Sequence, residues 1–366
     1  MRKTPTSPDL RWIGIALLLG TSAGGLAAYW GLPLPWMLGP MIGCTLAALA
    51  GMPLVAPGGL RQFVIPVIGV FLGASFHGDM LEQAASWGIT AALLPLFCIA
   101  AATISYAIYR MIGRYDPITA FFSAMPGGLS EMMLLGDDAG GDGRRIALAH
   151  ATRVLLVIAS VALFFGLVLG VDTRGSARNW VTFEEVGLRD GAALAACALL
   201  GLGFARGVRL PAGALFGPMI LSAALHISGL VTVPPPTLLV VCAQIFIGTV
   251  IGCRFVGVGL REVAKDMALG AVAASGMLAI ALFFAQIVYL LTERPIAQAF
   301  LAFSPGGLTE MSLLALAMGQ EVAYVASAHI ARITLVIFSA PVAFRIWGSA
   351  RRRAEKSPAQ RPPTPR

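Results

Sequence analysis

The sequence predicts an all-α polytopic membrane protein of about ten transmembrane helices, in two inverted repeats that each hold a re-entrant or broken Pro-Gly-Gly segment. Three observations lead to this fold class. Hydrophobic residues make up 57% of the 366 residues and charged residues only 12%, about half the charged share of soluble domains. Apolar runs long enough to cross a bilayer recur along the chain, and a motif near its middle is repeated near its end.

The apolar runs predict helices that cross a bilayer. About 20 apolar residues are needed to span the hydrocarbon core, and runs of roughly that length occupy residues 12–29, 84–107, 146–171, 267–291 and 322–344. A transmembrane β-barrel would alternate polar and apolar residues, which these runs do not. We expect the first run to be retained as a span rather than removed as a signal peptide, because the duplication described below requires it.

The charge and the cysteines exclude other classes of protein. The net charge of +8 is carried by short loops and by a basic, proline-rich C-terminal tail. This distribution is typical of the positive-inside bias and of contact with anionic lipid, so we expect no nucleic-acid partner. The five cysteines are scattered in apolar segments without a Cys-x-x-Cys pair. They predict no disulfide framework, and we expect no metal or other cofactor.

The chain is an internal duplication. "MPGGLSEM" (125–132) returns as "SPGGLTEM" (304–311), and residues 120–165 align with residues 299–344 without a gap, with 20 of 46 positions identical. We therefore predict a first membrane repeat at residues 1–175, a second at 176–347 and a disordered cytoplasmic tail at 348–366. Internal symmetry of this kind is common among membrane transporters.

The path of the Pro-Gly-Gly segments decides whether the two repeats are inverted or parallel. Proline lacks an N–H and the glycines favour non-helical backbone, so we expect these segments to re-enter. Each half then has five spans, an odd number, and the halves are inverted, with 20 Lys and Arg inside and 4 outside. If the segments cross the bilayer, the halves are parallel and the count becomes 17 inside and 7 outside. The positive-inside rule favours inverted halves with both termini in the cytoplasm.

Charged side chains at membrane depth are the candidate functional residues, because each costs roughly 2.5–3.5 kcal/mol to insert. His150 and Arg153 share a helix face, as do His329 and Arg332. The predicted substrate-binding residues are Pro126, Gly127, Gly128, Arg153, Pro305, Gly306, Gly307 and Arg332. The predicted ion-coupling residues are Glu131, His150, Glu310 and His329.

Two interpretations of these charges remain open. In one, Glu131 pairs with Arg153 and Glu310 pairs with Arg332, and the pairs only hold helices together. In the other, the Gly-Gly amides and a half-helix N-terminus bind an anion, the arginines balance the ligand or the glutamates, and a Glu or His carries a proton.

The paired PGGLSEM and PGGLTEM motifs, with "GPM" near the start of each half, resemble the AbrB-type duplication family of bacterial membrane proteins. The resemblance implies an integral protein of the inner membrane. Members are often labelled ammonia monooxygenases or AbrB-type regulators of gene expression. Nothing here resembles the small soluble DNA-binding AbrB regulators.

The enzyme label fits the residues poorly. A metal oxygenase needs clustered ligands, and the four histidines, at 77, 150, 226 and 329, are not spaced as a cluster. We therefore expect no enzyme. The expected function is a secondary transporter of a small solute through a site at the middle of the membrane, formed by the two PGGL(S/T)EM and HxxR units, and an anionic or carboxylate-bearing solute is favoured. The alternative is a membrane-embedded solute sensor that regulates gene expression, and a monooxygenase is the least favoured. The expected partners are the lipid bilayer and the solute, and a homo-oligomer is left open.

Overall fold

The computed structural model describes residues 10–32, 34–76, 78, 87–165, 180–208 and 213–356. Within these ranges the chain forms fourteen α-helices and no β-strand. The first half contains α1 Leu10–Tyr29, α2 Pro35–Leu49, α3 Arg61–Gly73, α4 Gly88–Met111, α5 Pro117–Ala124, α6 Leu129–Asp138 and α7 Gly143–Leu163. The second half contains α8 Phe183–Val208, α9 Gly213–Ile227, α10 Thr237–Gly252, α11 Leu260–Thr292, α12 Ile296–Phe303, α13 Leu308–Ala317 and α14 Val322–Lys356. The two series correspond helix for helix.

The predicted polytopic membrane protein is confirmed by the lengths and composition of these helices. Seven of the described helices, α1, α4, α7, α8, α10, α11 and α14, are long and apolar enough to cross a membrane. Three shorter apolar helices are also present. Of these, α2 and α9 are equivalent helices of the two halves, and α3 is equivalent to the long helix α10. Seven of the described helices therefore have the length and composition of spans, and the total of ten spans stays a prediction.

The halves are inverted, because the equivalent helices α4 and α11 run antiparallel against each other. Phe97 of α4 meets Phe284 of α11 with ring centroids 5.8 Å apart. Further along α4, Ile104 lies 3.4 Å from the position of a Cβ on Gly276. Residues further along α4 therefore contact residues earlier in α11, so the two helices run in opposite directions. Two copies of one unit whose matching helices are antiparallel are related by an axis in the membrane plane.

Helices of one half also pack against helices of the other half, and glycines permit their close approach. Gly248 of α10 packs against the backbone of Met37 in α2, and the equivalent Gly69 of α3 packs against the backbone of Leu215 in α9. A Cβ on either glycine would collide with a carbonyl oxygen. Small residues at such crossings are the usual means of bringing membrane helices together.

Both Pro-Gly-Gly segments are re-entrant hairpins, as predicted. We call α5–α6 hairpin 1 and α12–α13 hairpin 2. The end of hairpin 1 returns to its start, because the amide of Asp142 donates a 2.8 Å hydrogen bond to Oγ1 of Thr119. In hairpin 2 the side-chain amide of Gln298, near the start of α12, donates to Glu321, just beyond α13, at 2.9 Å. A helix that crossed the bilayer would hold these ends about 30 Å apart.

The hairpins enter from opposite faces. On the way along α14, Arg332 contacts the tip of hairpin 2, and Phe344, three turns later, packs on Phe121 within hairpin 1 at 5.4 Å. The face that holds the base of hairpin 1 also carries Arg110, Arg144, Arg254 and Lys265, and we call it the basic face. The base of hairpin 2 lies at the opposite face.

The C-terminal boundary differs from the expected domain division. Helix α14 continues past residue 347 to Lys356, so the tail predicted as disordered at 348–366 begins as helix. Its first residues include three arginines and a lysine, which are good helix formers and extend a helix that is already nucleated. Residues 357–366 lie outside the described part of the chain.

Candidate functional site

Each hairpin turns at its Pro-Gly-Gly motif, and the turn frees backbone carbonyls. Helix α5 ends at Ala124 and α6 begins at Leu129, while α12 ends at Phe303 and α13 begins at Leu308. The last carbonyls of a helix have no partner within it, and proline supplies no N–H to meet them. Pro126, Pro305 and Gly306 are buried, and Gly127, Gly128 and Gly307 are partly buried. The irregular backbone is therefore covered by protein, as membrane depth requires.

Arg332 of α14 binds the freed carbonyls of hairpin 2. Its Nη1 donates to the carbonyl of Ser304 at 2.6 Å and to that of Phe303 at 3.4 Å, and its Nη2 donates to that of Gly306 at 2.9 Å. The residue is only 2% exposed. A cation at the C-terminal end of α12 is also favoured by the helix dipole.

Arg153 of α7 does the same for hairpin 1. Its Nη1 donates to the carbonyl of Met125 at 2.9 Å, and its Nη2 donates to that of Gly127 at 3.3 Å. Met125 and Gly127 are the counterparts of Ser304 and Gly306 in the repeat. The contact therefore recurs in both halves, although it was not evident from either motif alone.

The two histidines complete each arrangement as neutral rings. Nε2 of His150 donates to the carbonyl of Phe122 and Nε2 of His329 to that of Leu301, both at 2.9 Å. Nδ1 of each ring lies 2.9 Å from Nη2 of the arginine three residues later. Since a guanidinium can only donate, Nδ1 accepts and the proton resides on Nε2. A second proton would face the guanidinium, so in this conformation each histidine orients its arginine.

The interpretation that Glu310 pairs with Arg332 is wrong. Ion pairs with atoms within 4 Å join Arg145 to Asp142 and Arg294 to Glu321 in the described residues, and none joins Glu310 to an arginine. The physical reason is that the Pro-Gly-Gly break supplies carbonyls closer to the guanidinium. The side chain of Glu131 lies outside the described part of the structure, so its predicted pairing with Arg153 stays a prediction.

Glu310 instead folds back over the start of α13. It is 7% exposed, and its Oε2 accepts a 2.8 Å hydrogen bond from the hydroxyl of Thr309. A Cβ on Gly307, the residue that precedes α13, would collide with the same oxygen. A carboxylate in the first turn of a helix is stabilised by the helix dipole and by unpaired amides. The end of the helix that could bind an anion therefore holds the protein's own carboxylate.

The two tips lie close to each other. A Cβ on Gly127 of hairpin 1 would be 2.7 Å from Cγ1 of Val336, which lies one turn beyond Arg332 on α14. One turn of helix is about 5.4 Å. The structure thus brings the predicted residues of both halves together, apart from the Glu131 side chain, which it does not describe.

A cluster at the base of hairpin 2, missed by sequence reasoning, lies at the face opposite the basic face. Arg294 and Glu321 form a 2.9 Å ion pair whose side chains are only 12% and 14% exposed. The guanidinium of Arg294 lies 4.9 Å from the ring centroid of Tyr324, whose hydroxyl is 2.6 Å from that of Thr90. We call Arg294, Gln298, Glu321 and Tyr324 the base cluster.

The repeat holds a counterpart of the base cluster at the basic face. Arg145 lies 5.3 Å over the ring of Tyr115, and its ion pair with Asp142 is 3.5 Å long, with side chains 45% and 47% exposed. Tyr115 corresponds to Arg294 and Arg145 to Tyr324, so the cation and the ring have exchanged places. The exchange preserves the contact of the cation with the ring, but the ion pair at the base of hairpin 2 is partly buried and the one at the base of hairpin 1 is exposed.

A cavity of about 630 Å³ opens at the basic face and reaches hairpin 2. It is lined by the starts of α3 and α9, including Arg61 and Gln62, and by Thr309 beside Glu310. We call this cavity the vestibule. Sequence reasoning counted Arg61 only as a loop charge, because nothing in the sequence indicates that α3 and α9 lie together. In the described ranges no three His, Cys, Asp or Glu side chains are grouped as metal ligands.

Comparison with known proteins gives one family and two relatives. The family model described as transition state regulatory protein AbrB matches residues 36–348. A candidate regulator named AbrB from Escherichia coli (strain K12) is 25% identical over 343 residues, which cover 92% of this chain and 97% of that protein. A protein of Bacillus subtilis (strain 168) named YhjN, whose name assigns it no function, is 26% identical over 361 residues, 92% of each chain.

Proposed function

This chain belongs to the AbrB family, and we propose that it is a secondary transporter that moves a small solute past the two hairpin tips. One observation carries the proposal. The hairpins enter from opposite faces, and their tips meet near Arg153 and Arg332 in the middle of the protein. Inverted halves around a central site of broken helices allow that site to open to one face and then to the other.

The difference between the two faces supports one conformation of a transport cycle, in which the site is open to only one side of the membrane. The vestibule opens at the basic face, whereas the partly buried ion pair of Arg294 and Glu321 lies at the base of hairpin 2 on the other. By the positive-inside rule the basic face is cytoplasmic. We therefore propose an inward-facing protein of the bacterial inner membrane with both termini in the cytoplasm.

The site residues take different roles in this proposal. The Pro-Gly-Gly backbones at residues 126–128 and 305–307 form the walls of the site, and Arg153 and Arg332 hold these backbones in shape. Glu310 is the candidate for ion coupling, because it is a buried carboxylate without an arginine within ion-pair distance in the described structure. Glu131 takes the equivalent role in the first half. We also propose that the protein is not an enzyme and that it binds no cofactor.

A solute sensor is the second candidate. The family description and the name of the Escherichia coli relative both refer to regulation. A sensor would bind the solute at the same site and would pass none across the membrane. Binding without transport is therefore the result that separates the two functions.

The test uses purified full-length protein in sealed vesicles loaded with a small-molecule extract of the source cells. Mass spectrometry would follow which compounds leave the vesicles. We expect at least one compound to leave faster than from vesicles without protein and from vesicles with Arg332→Gln. The control is Arg345→Gln, which removes an exposed arginine from the same helix.

Two outcomes would contradict transport. If no compound leaves faster than from empty vesicles, the proposal is wrong. If no compound leaves the vesicles, but one binds the purified protein and no longer binds the Arg332→Gln variant, the protein is a sensor rather than a transporter.

A further inference from the structure

The vestibule is shaped to admit a small molecule from the basic face. Its mouth is bounded by Gly58 and Gly59, and a Cβ on either glycine would meet no atom within 4 Å. Its volume of about 630 Å³ lies in the range of small-molecule sites. At its inner end is Thr309, whose hydroxyl is bonded to Glu310. A molecule that enters therefore reaches the start of α13.

The charges around the vestibule are mainly positive. Arg61 lines it, and Arg254 is close enough to feel the charges of both Arg61 and Glu310. Low-dielectric walls around like charges concentrate the opposite ion. The equivalent positions in the other half are Val240 and Ser75, so this pair of arginines is confined to one side of the molecule.

The carboxylate of Glu310 indicates which chemical group the inner end of the vestibule can bind. It occupies the first turn of α13 and accepts a hydrogen bond from the hydroxyl of Thr309. Another carboxylate could make the same contacts, while Arg61 and Arg254 would offset its charge. A neutral molecule could accept the hydrogen bond from Thr309 but would gain no attraction from the arginines, and a cation would be repelled by them.

We propose that the vestibule binds a small anion, with a carboxylate as its preferred group, which enters past Arg61 and takes the place of the Glu310 carboxylate beside Thr309. This inference deepens the proposed function by naming the class of solute. It rests on that function for the fate of the anion, but binding itself would occur in a transporter or a sensor.

The test measures the charge preference of the vestibule directly. All five native cysteines are replaced by alanine in the full-length chain, and a reporter cysteine is introduced as Thr309→Cys or, separately, as Gln62→Cys. Each is modified with an anionic methanethiosulfonate, the ethylsulfonate, and with a cationic one, the ethyltrimethylammonium, and rates are divided by those for free 2-mercaptoethanol. We expect the anionic reagent to be favoured by about tenfold or more, and sodium acetate to slow it more than sodium chloride of equal ionic strength.

Variants assign the effect to the two arginines. Arg61→Gln with Arg254→Gln should reduce the preference to about one, while Arg144→Gln with Lys265→Gln, an equal loss of charge elsewhere on the basic face, should leave it within about twofold. Glu310→Gln should strengthen the protection by acetate. Protection by inorganic phosphate but not by acetate would overturn the preference for carboxylates.

Other results would overturn the proposal altogether. These are equal rates or a preference for the cationic reagent at both reporters, a preference that survives the double arginine substitution, or no modification of either reporter. Because no transport is measured, each of them leaves the vesicle experiment on transport to stand or fall separately.

Discussion

At the scale of single residues, the arginines are explained by the backbone they hold. Burying a guanidinium is costly unless its donors are satisfied, and Arg332 satisfies two of its nitrogens with carbonyls of Phe303, Ser304 and Gly306. The sequence predicted the depth of these arginines and the face they share with the histidines. It could not predict their partners, because a pattern of side chains does not show which carbonyls a distant hairpin leaves free.

Arg332→Gln should lower the free energy of unfolding by about 3 kcal/mol, because several buried carbonyls would lose a charged donor. Arg153→Gln should have a similar effect, since its contacts are equivalent. The measurement is the unfolding transition in detergent. Arg345→Gln, exposed on the same helix as Arg332, should change it by less than about 0.5 kcal/mol. Equal effects of Arg332→Gln and Arg345→Gln would contradict this role.

Gly307→Ala should displace the Glu310 carboxylate from the start of α13, because the new methyl group would occupy the place of its Oε2. The matched control is Gly259→Ala, since both glycines precede a helix in extended backbone and a Cβ on Gly259 meets no atom within 4 Å. Because the colliding atoms are the end of a flexible side chain, we expect Gly307→Ala to destabilise the protein by about 1 kcal/mol, the low end for overpacking, and Gly259→Ala to have no measurable effect. Thermal unfolding of the two variants side by side measures this, and an equal response would show that Glu310 does not depend on Gly307.

At the scale of elements, each hairpin is fixed at its tip by a His-Arg pair and at its base by polar and aromatic contacts. The tips could be located from the sequence, because the Pro-Gly-Gly motif and the His-x-x-Arg pattern recur identically. The bases could not, because Tyr115 and Arg145 correspond to Arg294 and Tyr324. An exchange of partners hides the contact from a search for identical residues, although a search for complementary pairs at the repeat spacing would find it.

Glu321→Gln should loosen hairpin 2 at its base. It removes the negative charge of a partly buried ion pair, which we expect to cost about 1–3 kcal/mol. Asp142→Asn is the control, because its ion pair with Arg145 is exposed and asparagine retains the helix cap. Hydrogen exchange should rise in α12 of Glu321→Gln and remain unchanged in α5 of Asp142→Asn. Unchanged exchange in α12 would mean that the base cluster does not hold hairpin 2.

At the scale of the whole molecule, much of the architecture follows from the repeat. Its spacing predicted two copies, and the parity of the spans together with the distribution of Lys and Arg predicted that they are inverted. The vestibule could not be predicted, because it forms where α3 of one half meets α9 of the other. Arg61, Thr309 and Glu310 are brought together by that packing of helices between the halves, and no local pattern encodes it.

The central claim is that the two hairpins enter the membrane from opposite faces. The direct measurement introduces Asp138→Cys at the base of hairpin 1 or Gln320→Cys at the base of hairpin 2, each in the cysteine-free chain, and labels sealed vesicles of known orientation with a membrane-impermeant thiol reagent. We predict that Asp138→Cys is labelled only from the cytoplasmic side and Gln320→Cys only from the other side. Labelling of both from the same side would contradict the inverted architecture and the central site built on it.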